Sequence, residues 1–343
     1  MSVGTLYIGS LSDAEKIAFY NSVVEEGFNA PFDRPLETKY NQIAAVKLPK
    51  DLGLLPGQSV EKVSFGFSPP NAKAEQQING RHSLPVTMHS IEVPIKPYTT
   101  TLHSEREDFD KDVMGILRKV PRDLKRVQSK NPDVLLGALL RAGGTTLDYT
   151  GLKSFFDTAH KCSPEGQVSA TYDNLYTTTA LTEANLGKVL QAQHSILASD
   201  GLTLGVRGNV LLVPPTLEHD AFVACKAAQI VYSNGTNAAP GQASNTAAMG
   251  DNVMALFLRW VKEIVVMTEL QDGTSTNNTA WYAMDTNNGP VSLCYARTME
   301  PEYVSLMNPQ DPTVFFSDKY FWGSKWREGV AFGLPQFAAR CTA

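Results

Sequence analysis

Residues 52–103 contain two β-like runs, VEKVSFGFS and HSIEVPIKPYTTTLH, separated by the polar stretch PPNAKAEQQINGRHS with its Asn79-Gly80 turn signal. They spell a long hairpin. Pro94 and Pro97 have no N–H to give to a ladder, so the second run is expected at a sheet edge or as a free-standing ribbon. A lone two-stranded ribbon is marginal in water, and one of this length requires a docking surface supplied by something else.

The segment before it has as little to fold around. SDAEKIAFYNSVVEEG reads as a short amphipathic helix, with Ser12 and Glu15 at capping-box spacing, Ile17, Tyr20 and Val24 on one face, and Gly27 closing the end. FNAPFDRPLETKYNQIAAVKLPKD follows, with Pro31, Pro35 and Pro49 and no helical period, and is expected as an extended strap. Ordering the backbone costs roughly 1–2 kcal/mol per residue. Neither the arm nor the ribbon can bury enough of itself to offset that, so neighbouring copies are expected to cover them.

The clearest helix is SEREDFDKDVMGILRKVPRDLKRVQSKNPDVLLGALLRAGG, a spine with apolar residues at three- and four-residue steps from Phe109 to Leu135. Ser104 and Glu107 have capping-box spacing, and Gly143 with Gly144 mark the stop. Pro121 and Pro132 would each remove one helical hydrogen bond, which predicts kinks or a short break, most of all at Asn131-Pro132. Arg118, Lys119, Arg122, Lys125, Arg126 and Lys130 gather here with Asp123 as the one acid among them. That basic face could lie against packed nucleic acid, or it is an ordinary solvated helix face.

Beyond the spine, helices and strands alternate. LTEANLGKVLQAQHSILASDG has Thr182 as its N-cap and is followed by the strand NVLLVPP and the helix TLEHDAFVACKAAQIV. The Ser-, Asn-, Gly- and Ala-rich residues 233–252 read as a loop, and β-rich runs follow around 261–267, 281–284 and 291–297. The class is α+β with a strap and a ribbon appended.

Composition narrows the function. The formal charge of −5 argues against bulk electrostatic binding of nucleic acid or an anionic membrane, although local patches remain possible. Charged residues are 19% of the chain against a usual ~25%, which fits buried interfaces. Cys162, Cys225, Cys294 and Cys341 form no C-x-x-C pair, so free thiols in a reducing cytosol are expected. The most apolar segment, VMALFLRWVKEIVVM, is broken by Arg259, Lys262 and Glu263 and is too short to cross a membrane.

Asp157, His160 and Cys162 are the one cluster with chemical potential, as metal ligands or as a nucleophile and its base. Zinc needs three or four ligands, and His160-x-Cys162 supplies two, so a structured loop anchored by Tyr149, Phe155 and Phe156 is the expected reading. A metal-dependent hydrolase built on the three residues is the rival. Gly201, Gly205 and Gly208 precede a strand, whereas a dinucleotide loop follows one.

In the order arm, strap, ribbon, spine, α/β body and β-rich end, the chain resembles the major capsid proteins of tailed bacteriophages, which have the Hong Kong 97 fold. At residue level it is most similar to the Mu-like major head subunits, through YNQIAAV, LHSEREDFDKD, DYTGLKSFFDTAH, LTEANLGKVLQAQ, DGLTLGVRGNVLLVPPTLE and DKYFWGSKWREGVAFGLPQFA. The resemblance implies an N-terminal arm (1–50), an extended loop (51–103), a peripheral domain with the spine helix (104–204), an axial domain (205–305) and C-terminal strands returning to the peripheral domain (306–343). It implies a non-enzymatic, cofactor-free shell subunit that forms pentamers and hexamers around double-stranded DNA, with scaffold, portal and decoration partners, in a virion assembled in the bacterial cytoplasm. The scaffold is expected as a separate protein. An encapsulin-like compartment shell is the alternative within the same fold.

Overall fold

The computed structural model describes residues 12, 15, 17–19, 21–22, 25, 37–54, 58, 60–67, 89–107, 116–162, 169–226, 229–233, 247–251, 261–272, 278–287 and 292–343. Along the chain the elements begin with α1 (Tyr40–Ile43), β1 (Ala45–Lys47), β2 (Lys62–Phe67), β3 (His89–Pro94), β4 (Lys96–Glu105) and the spine α2 (Ile116–Ala142). Then come β5 (His160–Lys161), β6 (Thr171–Tyr172), β7 (Leu175–Tyr176), α3 (Glu183–His194), β8 (Val210–Val213), α4 (Glu218–Lys226), β9 (Gln229–Ser233) and β10 (Ala247–Asp251). The last are β11 (Glu263–Val266), β12 (Trp281–Met284), β13 (Leu293–Leu306), α5 (Pro312–Ser317), β14 (Lys319–Phe332) and β15 (Ala338–Cys341).

A five-stranded mixed sheet, in the order β11-β8-β12-β15-β7, holds the centre. Its central strands β8 and β12 are apolar and buried at every position because both faces are covered. Val210, Leu212, Tyr282, Met284 and Ala338 point to one face, where Leu136 and Leu140 of the spine, Phe155, Phe156, Phe332 and Ile43 complete the core. Leu211, Val213, Trp281, Ala283 and Ala339 point to the other, under Leu186, Val189 and Leu190 of α3 and Ala221 and Ala224 of α4. Each large side chain so buried contributes about 1.5–3 kcal/mol.

The second sheet has the order β1-β13-β14-β4. Its centre is the long antiparallel pair β13–β14, bulged between Arg297 and Met299 and between Met299 and Glu302. The N-terminal half of the spine rests here, with Val120 and Leu124 against Met307, Tyr320 and Trp322. One buried carboxylate ties spine to sheet: Glu328 accepts hydrogen bonds from Asn131 Nδ2, Tyr295 OH, Trp326 Nε1 at 2.9 Å and Arg297 at 3.0 Å.

Several expectations need correction. Ser104 lies in β4, paired with Tyr320, so it is a strand residue and no helix cap. The spine is unbroken from Ile116 to Ala142 although both prolines lie inside it. Asn131 and Asp133, on either side of the buried Pro132, are each fastened by hydrogen bonds to other parts of the chain, and this holds the helix across the missing bond. Gly143 ends the helix without a left-handed φ; it is needed because a β-carbon there would strike the Phe156 ring. The strap is not merely extended, since it folds into α1 and β1 and buries Ile43 completely. The 233–252 stretch is strand at its described ends, where Ala247–Asp251 pairs with Gln229–Ser233. The helix expected to run to Val231 stops at Lys226 for the same reason.

Candidate assembly surface

The root of the ribbon docks on its own chain. β2 and β3 pair from Lys62↔Pro94 to Phe67↔His89 and alternate strictly, with Val63, Phe67, Ile91 and Val93 on the buried face and Lys62, Glu92, Ser64 and Ser90 outside. The buried face packs on Val206, Cys294, Ala296, Leu334 and Phe337 of the same chain. The root is therefore satisfied internally, contrary to expectation; the polar stretch with Asn79-Gly80 lies outside the described residues. Among the described residues β4 is an edge strand, as its Pro97 predicts, joined to β14 on one side.

In the arm, the capping box is present: Glu15 N donates to Ser12 Oγ at 3.4 Å, and Ser12 N and Oγ donate to Glu15 Oε2 at 2.9 and 2.7 Å. Ile17 rests against the cluster beneath the spine; Tyr20, Val24 and Gly27 lie outside the described residues. The strap is tied down by Asp133, which accepts the backbone N–H groups of Lys39 and Tyr40.

The six basic spine residues are placed unequally. Arg122, Arg126, Asp133 and Leu140 follow at steps of four and seven residues and so share one face, on which the two arginines are exposed while Asp133 and Leu140 are fully buried. The basic sector thus runs into the core halfway along the helix. Lys130, at the transition, lies 3.7 Å from Asp133 and 3.6 Å from Glu269. Lys125 is half-buried, and Arg118 and Lys119 are helical positions whose side chains are not among those described.

Asp157, His160 and Cys162 do not converge. His160 is 3% exposed, stacked on Tyr172 with centroids 5.3 Å apart, and its Nδ1 stands 3.8 Å from Asp148. Cys162 packs with Tyr172 and Ile196, and Asp157 pairs with Lys153 at 3.5 Å. Burial holds the imidazole pKa below its usual value and pushes the Cys162 thiol up, so both favour their neutral forms. Among the described residues, no three His, Cys, Asp or Glu side chains are grouped to hold a metal. The residues do structural work: Phe155 stacks on Phe332 at 3.9 Å, and Asn174 holds the segment by donating to the Phe155 carbonyl at 2.8 Å.

What the sequence reading missed lies at the far end of the second sheet. Phe315 and Phe316 are 71% and 85% exposed on α5. Edge to face with centroids 5.4 Å apart, the two rings form one exposed apolar patch. The signal was legible in DPTVFFSD, where Asp311 and Pro312 start a helix too short to bury both rings.

Comparison with known proteins follows the same parts. The pattern of the family described as "Mu-like prophage major head subunit gpT" matches residues 75–179 and 262–343. The major capsid protein of Escherichia phage Mu is 25% identical over 127 residues, 37% of this chain; the match spans 38% of that protein's length. Among solved structures, the procapsid of bacteriophage JBD30 is similar with a TM-score of 0.50 at 19% identity, over 97% of this chain and 76% of that one. The cyanophage Pam1 capsid gives 0.51 at 12% identity, over 92% and 94%. The capsid of the empty GTA particle gives 0.50 at 12%, over 93% and 97%. At such identities the likeness is one of fold.

Proposed function

The chain belongs to the Mu-like prophage major head subunit family, and from that premise we propose that it is the repeating subunit of an icosahedral phage head, self-assembling into pentamers and hexamers around double-stranded DNA. Its α+β architecture is the Hong Kong 97-like fold of tailed-phage capsids. The observation that carries the reading is where the family match falls: on the ribbon's second strand, the spine, and β11 to β15.

The mechanism is mutual covering. Inside one copy the ribbon root and strap are fastened, whereas an edge strand open among the described residues and an exposed aromatic pair are left for other copies. Repeating one contact around five- and six-fold axes closes a shell. The arm (1–50), extended loop (51–103), peripheral (104–204) and axial (205–305) regions and the C-terminal strands (306–343) are its working divisions. The role is structural, without catalysis or cofactor. The exposed Arg122 and Arg126, with Arg118, Lys119, Lys125 and Lys130, supply weak non-specific contacts to packaged DNA. Scaffold, portal and decoration proteins are the other partners, and the product is a virion built in the host cytoplasm.

Negative-stain microscopy of the expressed full chain tests this. Closed shells or capsomer rings are expected; a protein that remains monomeric at high concentration would sink it. Shells of Lys125→Glu/Arg126→Glu that fill with DNA as well as the parent would remove the DNA-facing role alone.

A further inference from the structure

We propose that Phe315 and Phe316 of one copy seat in the cavity beside α5 on the next copy, making a head-to-tail contact at the distal end of the second sheet. This rests on the shell reading above and names a surface for it.

The pair is held rigidly. Asp311 caps α5 by accepting from Thr313 N at 2.9 Å, Pro312 occupies its first turn, and Asp318 closes it in the left-handed region at φ 52°. Val314, 2% exposed, pins the helix into the cluster with Met307 and Trp322. Val314 on the inside leaves the two phenyl rings outside, edge to face with centroids 5.4 Å apart. Rings fixed in this way lose little further freedom on docking, which is what a contact anchor requires.

The receiving site is on the same end of the subunit. A cavity of about 570 Å³ is lined by Ile17, Leu306, Met307 and Pro309, with Asn308 and Gln310 among its polar residues. Its apolar residues match two phenyl rings, and the rings of the same copy stand exposed outside its lining. Knob and hollow on one chain can be joined between copies, and such a contact repeated about a rotation axis closes a ring. Two aromatic side chains bury ~150–250 Å² each, well short of the ~1,200–2,000 Å² of a stable interface. The contact is therefore an anchor within a larger surface.

The test uses the full-length chain. Phe315→Ser/Phe316→Ser is expected to melt within a degree or two of the parent as a free subunit, because both rings are exposed, and to lose shell yield at least tenfold. A second variant, Phe316→Cys/Gln310→Cys, is expected to give disulfide-linked multimers in oxidised particles that neither single cysteine gives, the four native thiols all being buried. Parent-like shell yield from the serine variant, or shells of the double-cysteine chain without linked multimers, overturns the proposal. So does equal cross-linking by Phe316→Cys alone, which would place ring against ring. A parent chain that forms no shells at all overturns the assembly reading beneath it.

Discussion

The carboxylate of Asp133, fully buried in the spine helix, accepts the backbone N–H of Tyr40 at 2.9 Å, and that of Lys39 at 3.0 Å. A side chain 93 residues downstream thus caps the first turn of the strap. Asp133→Ala leaves two backbone donors without their acceptor, at a cost of ~1–3 kcal/mol each. Limited trypsin digestion should then cut at Lys39 in the variant well before the parent, and equal cutting rates would refute the tie. Asp133→Asn keeps an acceptor oxygen and is expected to fall between the two.

Glu328 is the other fixed point. Its oxygens serve Asn131, Tyr295, Trp326 and Arg297 with no exposed surface, so Glu328→Gln leaves the Arg297 guanidinium short of its buried counter-charge. Breaking such a pair costs about 3–5 kcal/mol. The denaturant midpoint should drop accordingly. Glu300→Gln, at the exposed carboxylate 3.7 Å from the same arginine, should cost under about 1 kcal/mol. Equal losses at the two positions would show that burial of Glu328 is not what matters.

His160 makes stability depend on pH in a defined direction. Burial is the largest influence and lowers its pKa, while Asp148, Asp157 and the Phe155 backbone partly oppose it. The unfolded chain therefore takes up a proton below about pH 6.5 that the folded chain resists. The stabilisation is complete above that pH and is lost as pH falls through the folded-state value. His160→Phe keeps a ring against Tyr172 and cannot titrate, so its melting temperature should fall less than the parent's between pH 7.5 and pH 5. Parallel curves would contradict this.

Gly329 lies in β14 where the ribbon root crosses it, and an added β-carbon would collide with the Pro94 carbonyl. Gly329→Ala should destabilise by about 1–3 kcal/mol, as overpacking does. It should also shift the resonances of Val93 and Ile91 while leaving those of α3 in place. A variant as stable as the parent, with unmoved ribbon resonances, would mean that the crossing is looser than described.

Much of this was legible in local patterning. The capping box at Ser12, the Thr182 cap, whose hydroxyl accepts from Asn185 N at 3.3 Å, and the edge placement of the proline-bearing β4 all follow from short-range chemistry that distant residues do not alter. Family resemblance, carried by stretches such as DYTGLKSFFDTAH, pointed to the fold. The basic residues of the spine could be counted, but not which of them face outward.

The chain alone could not announce the continuous spine across Pro132, the strand character of Ser104, the turn and strand hidden in the strap, or the internal docking of the ribbon root. Each depends on a partner far along the chain: Glu328 for Asn131, Tyr320 for Ser104, Asp133 for Tyr40, Phe337 for the ribbon. Local propensity differs between alternatives by about 1 kcal/mol per residue, whereas a buried hydrogen bond left unmade or a large side chain left in water costs as much or more. Long-range partners therefore outvote neighbours wherever the two disagree, and a linear reading sees only the neighbours.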